Sequence, residues 1–507
     1  MPKFRAQAKK IKAGRFNVGR IIQVGMMGAF SATIQIPAGH SQSSLATARG
    51  LEEIVVTARR EAESVQDVPI TIAAVSGGEL TARAITNVSE IQYLVPTLRV
   101  VESAQHGEST LFALRGMRSA GVVSYFGEVP ANGGIVGREL YDIASVQVLK
   151  GPQGTLFGKN TSAGAILFEP AIPKNETSGF VQLKTGDYNA LGGEAMFNSP
   201  LTDTLFLRVA GQWDNRDGFT KIVGRPEGGR VSSPGNLDSS SQRVSLLYSP
   251  SEKFENLIIV DRFYADETPR PLRIIGSTPC PDSPSFTQML IQGSCAYPGW
   301  DEAVGSEIAL GARKTNVPFR GRLLTDSWGV IDHATFNLND DITIKNIFGY
   351  RKDKSSISFD GDGTPFDMFT TNSDEINRAI TNELQLQANF GQLRIILGGF
   401  YGEVENELEG LFRVGLGNPL GSPLDPIERV HERKDVSKAI FSQGTYAVTD
   451  KLNLTAGYRF TRETRDYDKT DFQGGDCAYV PGQSSTNFST CKYKNKVTFD
   501  EPSWTLS

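Results

Sequence analysis

A period-two alternation of apolar and polar residues runs through the chain from Gly179 onward. In Leu205–Asp214, Ile380–Phe390 and Leu452–Glu463, apolar side chains occupy every second position, and charged or amide side chains stand between them. A strand with lipid on one face and water on the other needs this pattern. A soluble β-sandwich needs a filled apolar interior instead. The charged second face therefore favours an antiparallel transmembrane β-barrel, and a mainly β fold class.

Short and long connections alternate between these segments. Counting the segments gives about twelve strands, and bacterial barrels have an even number, with short periplasmic turns and long extracellular loops. The predicted short turns are Pro200–Asp203, Ser249–Glu252, Asn339–Asp341, Gly391–Gln392 and Thr449–Lys451. The predicted long loops are Asn215–Ser241, Ala265–Asp326, Gly361–Ile376, Gly410–Val436 and Phe472–Lys496.

Composition excludes several other classes of protein. No stretch of about 20 apolar residues could form a membrane helix. The net charge of −5 combines +7 over residues 1–48 with an acidic remainder of −12, which argues against nucleic-acid binding. The histidines have no metal-ligand spacing and belong to no Ser/His/acid set, so we expect no metal site, no cofactor and no enzymatic activity. They are His40, His106, His333 and His431.

The N-terminus has the features of a secretory signal. Residues 1–20 are basic, Ile21–Ile36 is uncharged, and Ala46–Ala48 supplies small residues for cleavage. We therefore predict a signal peptide over residues 1–48, with a disordered basic tail as the alternative. The cysteines form two closely spaced pairs inside predicted long loops, as expected for disulfides in an oxidising compartment. These pairs are Cys280 with Cys295 and Cys477 with Cys491.

The segment Tyr141–Pro170 reads YDIASVQVLKGPQGTLFGKNTSAGAILFEP. A short alternating strand ends where Gly-Pro removes a backbone donor, and a second short apolar run closes the segment. The glycines of this segment indicate backbone that approaches a neighbour closely. They are Gly154, Gly158 and Gly164. Lys159 suggests a phosphate loop, but Gln153 and Asn160 stand where that motif needs glycine and a hydroxyl residue. We therefore exclude nucleotide binding.

The string VLKGPQGTLFGKNTSAGAI within this segment resembles the plug-domain signature of TonB-dependent outer-membrane receptors. The resemblance implies an N-terminal mixed α/β plug domain over residues 66–173, inside a barrel formed by residues 174–507. Arg115-Gly116 is similar to the second plug signature of the family. By analogy, Arg115 and Lys150 would pair with acidic residues on the barrel wall, next to Gly116 and Gly151-Pro152.

A lysine at position 150 replaces the arginine that the family usually has. Because lysine lacks the planar bidentate guanidinium, a weaker plug–barrel contact is expected. A solvated surface cation is the alternative for Lys150 and for Arg115. Within the plug, we predict a strand over Val68–Val75 and a short helix over Glu79–Ile85. A second helix would begin at a capping box formed by Asn87 and Glu90 and would end before Pro96.

A β-branched segment follows the predicted signal, with the residues Ile54, Val55, Val56, Thr57 and Ala58. Such a segment favours an extended strand that can add to the sheet edge of a partner. Together with the resemblance, it is similar to a TonB box, with residues 49–65 forming the box and a linker. An ordinary edge strand is the alternative.

Membership of this family implies energy-coupled uptake of a scarce solute across the Gram-negative outer membrane. The partners would be TonB with the inner-membrane ExbB/ExbD complex, membrane lipid, and most commonly a ferric siderophore, with cobalamin, haem or oligosaccharide as alternative cargo. A plugged barrel has about 22 strands. Because Trp504–Ser507 breaks off within a predicted strand, we expect a C-terminally truncated receptor with about half of the barrel. A non-transporting fragment or a passive surface binder is the alternative.

Overall fold

A computed structural model provides the structure of the chain. The described residues are 55–56, 60, 63–64, 70–102, 110–117, 121–131, 140–158, 160–223, 233–276, 278, 299–317, 321–366, 369–414, 427–449, 452–473, 476–477 and 491–507. The predicted signal peptide lies outside these residues.

The predicted plug is built around a five-stranded mixed sheet with the strand order β3-β8-β9-β6-β7. Two short antiparallel strand pairs, β1 with β2 and β4 with β5, accompany this sheet. The bounds are β1 Val55–Val56, β2 Glu63–Ser64, β3 Thr71–Ser76, β4 Leu98–Glu102, β5 Thr110–Leu114, β6 Val122–Phe126, β7 Val129–Pro130, β8 Ile143–Lys150 and β9 Gly164–Pro170.

Both predicted plug helices form. Helix α1, Gly77–Ala82, begins two residues earlier than predicted because the Ser76 hydroxyl accepts a hydrogen bond from the Glu79 amide. The second is a 3-10 helix, Val88–Tyr93, and its capping box joins Asn87 to Glu90 as the sequence predicts. The predicted strand over 68–75 corresponds to β3, which begins at Thr71 in the described part of the chain.

The plug sheet is buried on both faces. On one face, Val146 and Val148 of β8 pack in a cluster that also contains Ile259 and Ile331 of the barrel wall. On the other face, Leu149 packs in a cluster with the wall residues Ile396 and Phe441. The plug core is therefore continuous with the inner surface of the barrel, which places the plug inside the curved sheet.

Twelve long antiparallel strands form that curved sheet, as the alternation predicts. In the described residues, each strand pairs with its neighbours in sequence order, and the first and last long strands have one long neighbour each. The bounds are β10 Ser178–Gly186, β11 Ala190–Thr202, β12 Leu205–Arg216, β14 Leu237–Ser251, β15 Phe254–Glu267, β17 Arg322–Asn339, β18 Ile342–Asp360, β19 Phe369–Phe390, β20 Leu393–Val414, β21 Ile427–Thr449, β22 Leu452–Gln473 and β24 Lys492–Leu506.

The two faces of these strands separate as predicted. On β19, Leu384 is 52% exposed on the outer face, whereas Glu383 and Gln385 on the inner face are at most 5% exposed. The inner face is polar and yet buried, because the plug covers it. An apolar outer face around a filled polar interior is the arrangement that a membrane-spanning barrel requires.

All five predicted short turns join consecutive strands through two residues, but the long connections are shorter than predicted. For example, β20 continues to Val414 and β21 begins at Ile427, where the sequence predicted one loop over 410–436. The ends of these strands next to the long connections carry charged residues on both faces, so the apolar–polar alternation is not visible there. Cross-strand ion pairs such as Arg378–Glu407, at 2.6 Å, accompany the pairing there.

The long-loop end also contains short elements. Helix α2, Trp300–Leu310, precedes β16, Lys314–Thr315, which pairs in parallel with β13, Lys221–Ile222. Strand β23, Asp476–Cys477, pairs with β22. Cys491 is disulfide-bonded, and its predicted pairing with Cys477 stays a prediction because that side chain is outside the described part. Cys280 and Cys295 also lie outside it.

Among the helices of the described residues, none has the length and apolar character needed to cross a membrane.

The outer face of β19 gives a depth-dependent prediction. We expect Leu384→Arg to lower the free energy of unfolding by about 2–4 kcal/mol in lipid vesicles, because it places a charge in the apolar band. Leu411→Arg, on the outer face of β20 near the long loops, is the matched control, and should cost about 0–1 kcal/mol. Urea unfolding in vesicles measures both values. Equal costs for the two variants would contradict an apolar band at Leu384.

Candidate functional site: the plug–barrel contact

The two cations predicted to hold the plug to the wall do not do so in the described part of the chain. Arg115 lies in the turn after β5 with φ 51°, and its side chain is exposed. Lys150 ends β8 and is half-buried. No ion pair joins either side chain to a described acidic residue. The plug–wall role of Arg115 and Lys150 and the alternative of a solvated cation therefore both stay predictions.

Their glycine neighbours have a clear conformational role. Gly116 and Gly151 have φ values of +82° and +104°, which favour glycine. Gly151 is followed by Pro152, and β8 ends at Lys150, just before this pair. The signature therefore ends a strand and reverses the chain, as the Gly-Pro pair predicts.

Among the described residues, four other ion pairs connect the N-terminal segment and plug to the wall. Each joins one residue of that part to one side chain on the inner face of a barrel strand. They are Arg60 with Glu383, Glu63 with Arg394, Glu128 with Lys345, and Asp142 with Arg208. These pairs were not predictable from the sequence because their partners lie far apart in the chain. The inward directions of Arg208 and Glu383 were predictable, from their places in the alternation.

Glu128 lies at the centre of this contact. Gly127 and Glu128 form the tight turn between β6 and β7, with φ values of +50° and 63°. Two successive positive φ values are those of a type I′ hairpin turn. The Lys345 ammonium lies 2.5 Å from the Glu128 carboxylate, and His333 Nε2 lies 2.9 Å from the carbonyl oxygen of Gly127. The turn thus inserts a carboxylate between the Lys345 ammonium of the wall and the Arg60 guanidinium, which lies 3.7 Å from it.

The charge balance around Glu128 favours its ionised form. Burial alone would raise the pKa of the Glu128 carboxyl, but Lys345, His333 and Arg60 together lower it from 4.5 to about 2. Burial also raises the pKa of the nearby Tyr125 hydroxyl to about 12. That hydroxyl donates a 2.6 Å hydrogen bond to the carbonyl oxygen of Phe157. Glu128 is therefore charged and Tyr125 neutral across the physiological range.

Arg60 connects three parts of the molecule. Its guanidinium donates to the carbonyl oxygen of Glu128 at 3.1 Å and to the Glu383 carboxylate of the wall at 3.3 Å. The same group lies 4.7 Å from the ring centroid of Phe157, in the plug signature. Only 4% of Arg60 is exposed. Arg60 follows the predicted TonB box by two residues, so it ties that segment to plug and wall together.

The predicted TonB box is described only at its centre. Val55 and Val56 form β1 and pair antiparallel with Glu63 and Ser64 of β2. Glu63 in turn forms a 2.9 Å ion pair with Arg394 of the wall. The backbone at 55–56 is therefore extended, as predicted. Ile54, Thr57 and Ala58 lie outside the described residues.

The three signature glycines lie at close approaches. At Gly158, φ is +81°, and a Cβ atom would lie 2.9 Å from Nη2 of Arg459 on the wall. At Gly164, it would lie 2.1 Å from the carbonyl oxygen of Leu149. Gly154 faces Ser503 of β24, with a Cβ distance of 3.6 Å. Two of these glycines therefore face the wall, and the third allows β9 to pack against β8.

A second contact holds the start of β8. Asp142 accepts hydrogen bonds from two guanidinium nitrogens of Arg208, one of them Nε at 2.9 Å from Oδ2. The guanidinium of Arg243 lies 4.8 and 4.6 Å from the ring centroids of Phe126 and Tyr141, and donates to the Asp142 carbonyl oxygen at 3.1 Å. Bidentate and stacked arginines of this kind define orientation as well as position.

Two family sequence models match the chain in the order in which these structures occur. The model described as TonB-dependent Receptor Plug Domain matches residues 64–165. The model described as TonB dependent receptor-like, beta-barrel matches residues 296–497. The chain belongs to the TonB-dependent receptor family. The plug inside the curved sheet is consistent with both matches.

Two relatives of this chain come from other bacteria. It is 24% identical over 439 residues to the pesticin receptor of Yersinia pestis, covering 83% of this chain and 57% of the relative. It is 30% identical over 185 residues to an iron-regulated outer membrane virulence protein of Vibrio cholerae, covering 33% and 28% of the two chains. The chain thus spans less than three fifths of the length of these relatives.

Solved structures show the same fold. The ferric yersiniabactin uptake receptor FyuA of Yersinia pestis superposes with a TM-score of 0.66 at 17% identity, covering 86% of this chain and 61% of that one. The siderophore receptor PiuA of Acinetobacter baumannii gives 0.63 at 14% identity, covering 88% and 62%. At these identities the likeness concerns the plug-and-barrel architecture alone.

The ionised Glu128 gives a pH-dependent prediction. Glu128→Gln should lower the free energy of unfolding by about 3 kcal/mol at neutral pH, the equivalent of a pKa shift from 4.5 to about 2. Because the folded-state pKa is the lower one, this contribution is complete above pH 4.5 and lost as the pH falls towards 2. Urea unfolding from pH 7 to pH 3 measures the difference between the two proteins.

The matched control is Glu176→Gln, which changes an exposed glutamate after the plug. Its stability should follow that of the unmodified receptor at each pH. A difference between Glu128→Gln and the unmodified receptor that stays constant down to pH 3 would contradict the ion-paired assignment of Glu128.

Proposed function

We propose that this receptor takes up a ferric siderophore across the outer membrane, with energy supplied through TonB and the ExbB/ExbD complex. The names of its relatives support this cargo: one is a ferric yersiniabactin uptake receptor and another a siderophore receptor. Cobalamin, haem and oligosaccharide remain the alternative cargoes. We propose a transport role without catalysis, an outer-membrane location, and a lipid-covered outer face.

The observation that carries the coupling proposal is the position of Arg60. Arg60 is the fourth residue after Val56, a span of at most about 14 Å in extended chain. A partner strand that pairs with residues 54–58 and pulls would therefore load Arg60 before any element of the plug sheet. Arg60 contacts plug and wall at once, so the pull acts on their contact directly.

Displacing Arg60 would weaken the contact on both sides. Its removal leaves the buried Glu383 carboxylate without its guanidinium partner, and removes a hydrogen bond from the Glu128 turn. Loss of one partner from a buried ion pair costs about 3–5 kcal/mol. A pull on the N-terminal segment thus turns a stabilising contact into a destabilising one, which favours rearrangement of the plug.

The ligand would enter from the end of the barrel with the long loops, and TonB would act at the end with the short turns. Residues 49–65 would form the TonB box and linker, residues 66–173 the plug, and residues 174–507 the barrel part. The outer membrane has no energy source of its own. An exposed strand that reaches the periplasm is the physical means by which an inner-membrane gradient could drive uptake.

Removing the backbone N–H group of residue 54 tests the proposed coupling. Ile54→Pro should abolish gradient-dependent uptake of iron-labelled siderophores in cells, because proline cannot donate to a partner strand. Binding at the cell surface should be unchanged. Ile54→Ala, which keeps the N–H group, is the matched control and should retain uptake. The measurement is accumulation of label with and without a proton-gradient uncoupler.

Three outcomes decide the proposal. Uptake that Ile54→Pro abolishes and Ile54→Ala retains supports coupling through the TonB box. Surface binding without gradient-dependent uptake in the unmodified receptor would assign it to the passive binders. Gradient-dependent uptake that is equal in both variants would place the coupling strand elsewhere in the chain.

A further inference from the structure

The wall arginine Arg459 is buried without a carboxylate partner in the described part of the chain. It lies on the inner face of β22, and only 4% of it is exposed. Its Nε atom donates to the Thr461 hydroxyl at 3.1 Å, and its guanidinium lies 5.6 and 5.3 Å from the ring centroids of Phe400 and Phe441. A buried charge is costly unless it is paired, and ring faces offset only part of that cost. Pairing with a carboxylate would therefore stabilise Arg459.

Glu383 lies one strand beyond the first of these rings. In the register of the sheet, Glu383 of β19 is directly opposite Phe400 of β20, the ring to which Arg459 extends across β21. The Glu383 charge acts on Arg459 as well as on Arg60. Arg60 donates to Oε2 of this carboxylate at 3.3 Å, and Gln385 donates to Oε1 at 2.6 Å. Without Arg60, Oε2 would have no donor among the described residues.

The plug signature contacts both arginines. The ring centroid of Phe157 lies 4.7 Å from the Arg60 guanidinium. The next residue, Gly158, faces the wall, where a Cβ atom would lie 2.9 Å from Nη2 of Arg459. Displacement of this part of the plug would therefore change the surroundings of both guanidinium groups at once.

We propose that Arg459 is the replacement partner of Glu383. When Arg60 is displaced, the Arg459 guanidinium moves to the Glu383 carboxylate and forms the ion pair that Arg60 has left. This exchange pairs two buried charges with each other. Lys345, another wall cation of the same network, is already held 2.5 Å from the Glu128 carboxylate.

The exchange gives the plug–barrel contact two arrangements. In the first, Arg60 holds the N-terminal segment to the wall. In the second, Arg459 and Glu383 pair within the wall and the segment is released. Because the second arrangement leaves no buried carboxylate unpaired, it lowers the cost of displacing Arg60. The inference rests on the proposed coupling for its role in uptake, whereas the exchange itself is a property of the folded chain.

Double-mutant cycles between Glu383 and Arg459 test the exchange in the purified full chain. Glu383→Gln, Arg459→Gln and the double variant would be made in the unmodified protein and in Arg60→Ala, and urea unfolding in lipid vesicles gives each unfolding equilibrium constant. With Arg60 present, the effects of the two changes should multiply to within about twofold, as expected for independent sites. In Arg60→Ala, the coupling should rise to at least about fivefold, as expected for side chains in contact.

Arg243→Gln is the matched control. Arg243 is also a wall arginine that is 4% exposed and lies over two rings, but those rings are Phe126 and Tyr141, at the other contact. Its cycle with Glu383→Gln should stay within about twofold in both backgrounds.

Arg60→Gln supplies a second background, in which the charge is absent and an amide can still donate to the Glu128 carbonyl oxygen. The coupling between Glu383 and Arg459 should appear there as well, so the test does not depend on the folding of Arg60→Ala. Arg459→Lys, which keeps the charge, should retain part of the coupling in both backgrounds.

Two outcomes would overturn the proposal. Independent effects of Glu383→Gln and Arg459→Gln in the absence of Arg60 would show that no exchange occurs. Equal coupling with and without Arg60 would show that Arg459 does not replace it. Neither outcome depends on transport: absence of gradient-dependent uptake would contradict the proposed function and leave the result of the cycles unchanged.

Discussion

Buried charge at the plug–barrel contact is the constraint on which the rest of this structure depends. A barrel wall of alternating residues must point its polar side chains inward, and a plug that fills the barrel then buries them. Each such group needs a partner, because an unpaired buried charge is costly. Arg60, Glu128, Lys345 and Glu383 form ion pairs with one another across the contact. The same network ties the N-terminal segment to plug and wall, so stability and the proposed coupling depend on one set of side chains.

Much of the fold was predictable because its causes are local. The alternation predicted about twelve long strands, the short turns between them, and the outward and inward orientations of Leu384 and Glu383. The spacing of Asn87 and Glu90 predicted their capping box. The outer strand ends were not predictable. In β20 and β21, charges on both faces resemble loop sequence, and the strands persist through cross-strand pairs such as Lys434–Glu405. Such pairs become visible only when the register is known.

The candidate site was predictable in its glycines and not in its ion pairs. Gly158 has a φ of +81°, and at Gly164 a Cβ atom would lie 2.1 Å from the carbonyl oxygen of Leu149. Each requirement favours glycine at one position, and a glycine can be recognised in the sequence. Asp142 and Arg208 are 66 residues apart, and Arg60 and Glu383 are 323 apart. Neither member of such a pair differs in sequence from a solvated surface charge. Family analogy selected Arg115 and Lys150, but the described contacts use other cations.

A double-mutant cycle between Arg60 and Glu383 tests the central claim most directly. The free energy of unfolding would be measured for the unmodified receptor, Arg60→Ala, Glu383→Ala and the double variant. Direct contact predicts a coupling energy of about 0.5–3 kcal/mol, with the double variant less destabilised than the sum of the single ones. Additivity within about 0.3–0.5 kcal/mol would show that the two side chains act independently, and would contradict a charge network that holds the N-terminal segment to the wall.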